Sequence, residues 1–339
     1  MTTPADHSVL ICAPNWLGDA VMCMPAIRLF RKAHPEAALI LLSKRRLCEL
    51  WAMNRDTDRV LAYDPTFRGT LAARAVLRER RCAQAFVMPN SFRAALIPFL
   101  AGIPERIGFR GHHGRAWMLH RVVPVSSARR GRHQWTEAFS LLGLPVPDAL
   151  PPPPYLFPDE RAASEMRDRL GQAEGEERIG LIPGAARGPS KRWPPEHFIA
   201  VGRALASSRR ARLLVLGAPA EAELCRRVAD GIGPAALDLG GRTSLPQLAA
   251  ALSLCRAVVA NDSGGMHLAA AVGAPVVAVY GLTDPNKTGP LGPSHLLVAP
   301  GLAAGDRDIA RRSDAAELAL RNIAPEQVVE AVAALLART

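Results

Sequence analysis

Three loops of this 339-residue sequence collect side chains that can do chemistry. In Asn261-Asp262-Ser263-Gly264-Gly265-Met266-His267-Leu268 an acid, a hydroxyl and an imidazole arrive where an apolar run ends. Two glycines there allow close backbone approach before a helix begins, which makes an anion site. The combination suits sugar hydroxyls and phosphate oxygens bound side by side. The plainer alternatives are Asp262 as a helix cap and His267 as a satisfied core histidine. A second loop, Pro183 to Pro195, holds Gly184 and Gly188, then Ser190-Lys191-Arg192 just before a helix. Backbone donors, two cations and the positive end of a helix dipole are what a phosphate needs. The glycine spacing is not that of a Walker A loop. A third loop, Pro14-Asn15-Trp16-Leu17-Gly18-Asp19-Ala20-Val21, presents one carboxylate and a single glycine. A dinucleotide site would carry G-x-G-x-x-G here, so an NAD enzyme is disfavoured. Asp19 reads equally as a helix N-cap and as a general base.

These loops need strand ends to hold them. Short apolar runs alternate with helical patterns throughout, as βα units around a parallel sheet do. In the first half the expected strands are Val9 to Ala13, Ala38 to Leu42, Arg59 to Tyr63 and Ala85 to Met88. Helices are expected at Pro25 to Ala33, Thr70 to Arg80 and Phe92 to Leu100. In the second half the strands are Ile179 to Ile182, Arg212 to Leu216, Ala257 to Ala260 and Val276 to Tyr280. The helices between them are Glu196 to Ala206, Ala220 to Asp230, Leu245 to Leu254 and Gly265 to Val272. The proline-rich segment 151–158 suits a stiff linker between a domain at 1–150 and another at 159–324. After about residue 300 a charged stretch leads to a last helix, Pro325 to Leu336, within a C-terminal segment 325–339.

Composition narrows the classes. Residues 1 to 150 hold 21 Lys and Arg against 11 Asp and Glu, a net charge of +10, whereas 151 to 339 hold 21 against 20. An anionic partner is expected on the first half. The clusters Lys44-Arg45-Arg46 and Arg129-Arg130-Gly131-Arg132 have few aromatics between them, which fits a phosphorylated acceptor better than single-stranded nucleic acid. No helix-turn-helix, finger or RNA-binding motif is recognisable, so a nucleic-acid protein is not expected. The Asp-x-Asp triplets Asp56 to Asp58 and Asp306 to Asp308 lack the setting of a metal site, and no metal or cofactor is expected. The six cysteines show no CxxC pair and read as buried thiols. No transmembrane run and no signal peptide is evident, so a cytoplasmic location is expected.

Taken in order and spacing, NWLGDAV (Asn15 to Val21), the Pro183 to Trp193 loop ending SKRW, NDSGGMHL (Asn261 to Leu268) and VYGLTDP (Val279 to Pro285) resemble the ADP-heptose:lipopolysaccharide heptosyltransferases of glycosyltransferase family 9, most like heptosyltransferase II members. The resemblance reaches to about residue 295. It implies a GT-B fold of two facing Rossmann-like domains with parallel sheets, the first holding the acceptor and the second the ADP-sugar, and a last helix crossing back to the first. It also implies metal-independent transfer with inversion, from an ADP-sugar donor to an anionic lipopolysaccharide core at the inner membrane face. On matching positions Asp19 is the base, Lys191 the diphosphate ligand, and Asp262 the ligand of donor-sugar hydroxyls. Ser190, Arg192, Ser263, Gly264, Gly265 and His267 line the donor site, and Asn15 and Gly18 belong to the acceptor loop. The sequence departs from the family pattern at Ala185-Ala186-Arg187 and lacks the cysteine-containing C-terminal segment. A transferase of another nucleotide sugar, and a catalytically silent GT-B module, stay open as alternatives.

Overall fold

The computed structural model describes residues 8–111, 114–124, 133–171, 177–300 and 309–338. The chain divides into two compact units, Met1–Pro151 and Pro152–Thr339.

The first unit runs β1 (Ser8–Cys12), α1 (Leu17–Ala33), β2 (Ala38–Lys44), α2 (Cys48–Ala52), β3 (Arg59–Tyr63), α3 (Phe67–Arg80), β4 (Gln84–Val87), α4 (Phe92–Leu100), β5 (Glu105–Phe109), β6 (Arg121–Val123) and α5 (Trp135–Leu142). The second runs α6 (Glu160–Leu170), β7 (Arg178–Ile182), α7 (Pro195–Arg209), β8 (Arg212–Val215), α8 (Ala222–Ile232), β9 (Ala236–Asp238), α9 (Leu245–Ser253), β10 (Ala257–Asn261), α10 (Gly264–Ala271), β11 (Val276–Val279), α11 (Pro285–Thr288), β12 (His295–Val298), α12 (Asp314–Arg321) and α13 (Pro325–Leu336).

Each unit carries a six-stranded sheet, ordered β3-β2-β1-β4-β5-β6 in the first and β12-β11-β10-β7-β8-β9 in the second. All the strand pairings are parallel, for example Cys12 beside Leu42 and Val87, and Asn261 beside Val279. Counted within its own unit, each sheet has the same 3-2-1-4-5-6 order. The direction of winding reverses between β1 and β4, and again between β7 and β10, and there the loops leave a crevice at the strands' carboxyl ends. The central strands SVLIC and AVVAN are buried at every position, as covering both faces requires.

Four strands were not expected from the sequence: β5, β6, β9 and β12. The first helix also starts eight residues earlier than expected, at Leu17, and contains Pro25. A proline in a helix gives up one N–H bond to the carbonyl four residues before it. Here Ala20, Val21, Met24 and Ile27 are fully buried on the sheet, and their burial outweighs that loss.

Trp193, Phe198, Val201, Cys225, Val259 and Val277 lie in the second unit's core with Val328, Val332 and Leu335 of α13. The last helix packs on α7 and on β10, β11 and β12, and its buried residues belong to the second unit's core. Beyond Pro151 the chain is likewise built into the second unit: Tyr155 and Leu156 are buried and both backbone N–H groups donate to the Ala271 carbonyl, at 2.7 and 3.2 Å.

All six cysteines are free thiols, and all but Cys48 are buried. Burial pushes the Cys12, Cys225 and Cys255 thiols up to about 12 and Cys82 to about 11. Burial, then the neighbouring Asp19 charge, raises Cys23 further.

Candidate active site

In the first unit, Asp19 stands at the reversal point. It is the third residue of α1, whose N-cap is Trp16, so the capping alternative is set aside. Its Oδ1 accepts a hydrogen bond from the Gln134 side-chain amide at 2.9 Å, across 115 residues of sequence. A half-buried carboxylate in the first turn also benefits from the positive end of the helix. Gly18 precedes it in the same turn. The Asn15 carbonyl accepts from Arg46 Nη2 at 2.6 Å, and the Arg46 guanidinium lies 5.5 Å from the centre of the exposed Trp16 ring. Arg45 is spent on Asp64, with contacts at 3.1 Å. Lys44 sits near Arg46 and Arg93; partial burial, then these two charges, lower its pKa. Cations therefore gather on the loops of this sheet edge. The cluster at Arg129, Arg130 and Arg132 lies outside the described residues.

In the second unit the loop after β7 passes Gly188, whose φ of +104° and ψ of −164° belong to a region that only glycine occupies comfortably. A single 3-10 turn, Pro189–Lys191, follows. Lys191 Nζ forms an ion pair with Asp262 Oδ2, the two side chains being 11% and 6% exposed. Thr283 Oγ1, on the loop after β11, donates to the same oxygen at 2.8 Å. Asp262 is thus held by two side chains, and the N-cap of α10 is Ser263. Ser263 makes no side-chain cap, so α10 presents its first turn uncapped at this point. The turn sits low on the sheet because Gly265 has no side chain: a Cβ there would lie 2.9 Å from Ile182 Cγ2.

Asn261, fully buried, pins the Lys191 loop to β10. Its Oδ1 accepts from the Trp193 backbone N–H at 3.0 Å and its Nδ2 donates to the Pro183 carbonyl at 2.8 Å. The Trp193 indole donates to the Ile323 carbonyl at 3.0 Å. Arg192 turns back onto its own loop, Nε to the Ala185 carbonyl at 3.2 Å, and so braces the turn. Ser190 and Ser263 carry buried hydroxyl oxygens with no hydrogen-bond partner among the described residues. His267 is buried in α10 three residues beyond Gly264. Below the ion pair the Tyr280 hydroxyl donates to the Thr288 carbonyl at 2.7 Å; burial, then the Asp262 charge, raises its pKa well above the usual range, so it remains a neutral donor.

A separate cavity of about 610 Å³ lies against the far part of this loop, lined by Pro189, Arg192, Trp193, His197 and Arg321 but by neither member of the ion pair. Asp56 and Asp58 are held by Arg28 and Arg31, and no group of three potential metal ligands occurs among the described residues. The Asp306 to Asp308 triplet lies outside them.

The model of glycosyltransferase family 9 (heptosyltransferase) matches residues 71–307, more than half of the chain. The chain belongs to that family. Lipopolysaccharide heptosyltransferase 2 of Escherichia coli K12 is 30% identical, over 97% of this chain and 98% of its own. Lipooligosaccharide heptosyltransferase 2 of Haemophilus ducreyi is 30% identical, over 97% and 99%. The solved structure of E. coli ADP-heptose LPS heptosyltransferase II matches with a TM-score of 0.84 and 27% identity, covering 98% of this chain and 99% of that one. The two parallel sheets are accordingly those of a GT-B glycosyltransferase. Within this glycosyltransferase the sequence pointed to Asp19, Lys191 and Asp262 but not to Gln134, Asn261 or Thr283, which work on them. One signal for Asn261 was readable: an amide ending the otherwise apolar strand AVVAN needs buried partners.

Proposed function

We propose that this glycosyltransferase moves heptose from ADP-heptose to the inner core of lipopolysaccharide, with inversion and without a metal ion. The observation that carries the reading is the buried Lys191, Asp262 and Thr283 cluster in the crevice of the second sheet, beside the uncapped end of α10. A cation and a helix N-terminus take the diphosphate, while a fixed carboxylate takes sugar hydroxyls. The names of the relatives, 30% identical over nearly the whole chain, support heptose and lipopolysaccharide as the reactants.

Asp19, with one oxygen held by Gln134, is the base that removes the proton from the acceptor hydroxyl. The hydroxyl oxygen bonds to the anomeric carbon as the bond to the β-phosphate oxygen breaks, and ADP leaves carrying the electron pair. Lys191 and the first turn of α10 stabilise the charge that grows on that phosphate, which is the work a metal would otherwise do. The acceptor is an anionic glycolipid met at the inner face of the cytoplasmic membrane, and Lys44, Arg46 and Arg93 attract it. Among the described residues no helix is long and apolar enough to cross a membrane. The test is to incubate the protein with heptose-deficient lipopolysaccharide and either ADP-heptose or a panel of other nucleotide sugars. Mass equal to one heptose should be added to the acceptor. Transfer of another sugar alone would reassign the donor, and binding with no transfer would leave a silent module.

A further inference from the structure

The Lys191 and Asp262 pair sets one side chain against two tasks. If Lys191 is to meet a diphosphate and Asp262 a sugar, as the proposed function has it, neither can do so fully while they hold each other. We propose that Asp262 discriminates ADP-sugar from ADP, by exchanging Lys191 for the sugar when donor enters and reclaiming Lys191 when the sugar has gone. This rests on the donor-site reading given above and adds to it a mechanism of product release.

Asp262 Oδ2 accepts from both Lys191 Nζ and Thr283 Oγ1, and the pair is nearly shut off from solvent. A buried carboxylate deprived of its cation is strongly disfavoured unless other donors replace it. ADP-sugar supplies the replacement, because its hydroxyls can donate to Asp262 as the phosphates draw Lys191 away. ADP draws on Lys191 and supplies nothing for Asp262. It also brings a terminal phosphate with one more negative charge than the diester in the donor. Thr283 keeps the carboxylate in place through both states, being buried and anchored on the loop after β11, so the exchange moves the lysine rather than the acid. After transfer the sugar departs with the acceptor, Asp262 recovers Lys191, and ADP loses its best cation.

The consequence runs against the usual expectation for a ligand-binding residue: removing the Asp262 charge should tighten one ligand. Binding of ADP and ADP-heptose is measured by calorimetry on the whole protein, its Asp262→Asn and Asp262→Ser variants, Lys191→Ala, and the Lys191→Ala/Asp262→Asn double variant. Thermal melts establish which variants are folded. Both neutral variants should bind ADP about tenfold more tightly than the parent, the scale of one partly screened charge contact, and ADP-heptose more weakly. Lys191→Ala should cost more ADP affinity in the Asp262→Asn background than in the parent, since only there does the lysine serve ADP alone. ADP affinity that is unchanged or lowered in the neutral variants would overturn the proposal while leaving Lys191 in its donor role. ADP affinity indifferent to Lys191→Ala in both backgrounds would instead remove the donor-site reading itself. The parent protein gives a check independent of any variant: in crystals soaked with ADP-heptose the Lys191 to Asp262 contact should be broken, and an intact contact there would also overturn the exchange.

Discussion

Replacing Asn261 by alanine should loosen the second unit and its nucleotide loop together. Asn261→Ala strips a partner from two groups, the Trp193 N–H at 3.0 Å and the Pro183 carbonyl at 2.8 Å, beside a side chain with no solvent exposure. A buried polar group left without its hydrogen bond costs about 1 to 3 kcal/mol, and two of them about 2 to 6. Alanine leaves room for a water, which favours the lower half, about 2 to 4 kcal/mol. For a unit the size of Pro152–Thr339, each kcal/mol lowers the melting temperature by about 2 to 4 °C, so a drop of about 4 to 16 °C is expected. Trp193→Phe is the comparison: it keeps the backbone N–H bond to Asn261 and loses the indole bond to Ile323 together with part of a buried ring, so it should lower the melting temperature too but leave ADP affinity nearer the parent's. The assay is differential scanning calorimetry with and without ADP, reading the transition that ADP raises. Because Asn261 ties both ends of the Lys191 loop to β10, ADP affinity should fall in Asn261→Ala as well. A variant melting within about 1 °C of the parent, with parent-like ADP affinity, would refute the claim that this amide holds the loop.

Asp19→Ala should lower turnover about 10²- to 10⁴-fold while ADP affinity stays near that of the parent, and parent-like turnover would deny Asp19 the role of base. Transfer should survive excess EDTA; loss of activity that magnesium or manganese restores would defeat the metal-free mechanism. Initial rates at limiting lipopolysaccharide should fall as salt rises above physiological strength, where the Debye length is already about 8 Å, with ADP affinity falling less. A Lys44→Gln/Arg46→Gln variant should flatten that dependence, and a parent rate indifferent to salt would dismiss the steering role of these cations. Burial holds the His295 pKa below its usual 6.5, so the neutral ring favours the folded state. Its contribution is complete above pH 6.5 and is lost as pH falls through the lowered pKa. Melting temperatures should therefore drop on acidification below 6.5, and less so in His295→Gln; equal slopes would assign the acid sensitivity elsewhere.

The sequence made β1 and β10 legible because SVLIC and AVVAN are nearly unbroken apolar runs, whereas β5 (ERIGF) opens on two charged residues and β6 (RVV) and β9 (ALD) are only three residues long. Pro25 misled for a local reason: proline favours the first turn of a helix, and only the buried face before it shows that α1 is already under way. Acidic and basic residues at the ends of apolar runs marked the crevices, since the ends of parallel strands are where loops converge. What the pattern left out was the pairing. Gln134 meets Asp19 across 115 residues and Thr283 meets Asp262 across 21, and no periodicity records which hydroxyl or amide will turn toward which acid.

The distribution of thiols gives each unit its own clock. Cys12, Cys23 and Cys82 are sealed in the first unit and Cys225 and Cys255 in the second, all with their pKa raised by burial. An alkylating reagent at neutral pH finds almost no thiolate at these five positions in the closed protein, so their modification must wait for the surrounding structure to open. The peptides bearing these cysteines, followed by mass spectrometry, would give separate opening free energies for the two units from one sample. Added ADP should then protect Cys225 and Cys255 while the first unit's cysteines keep their pace.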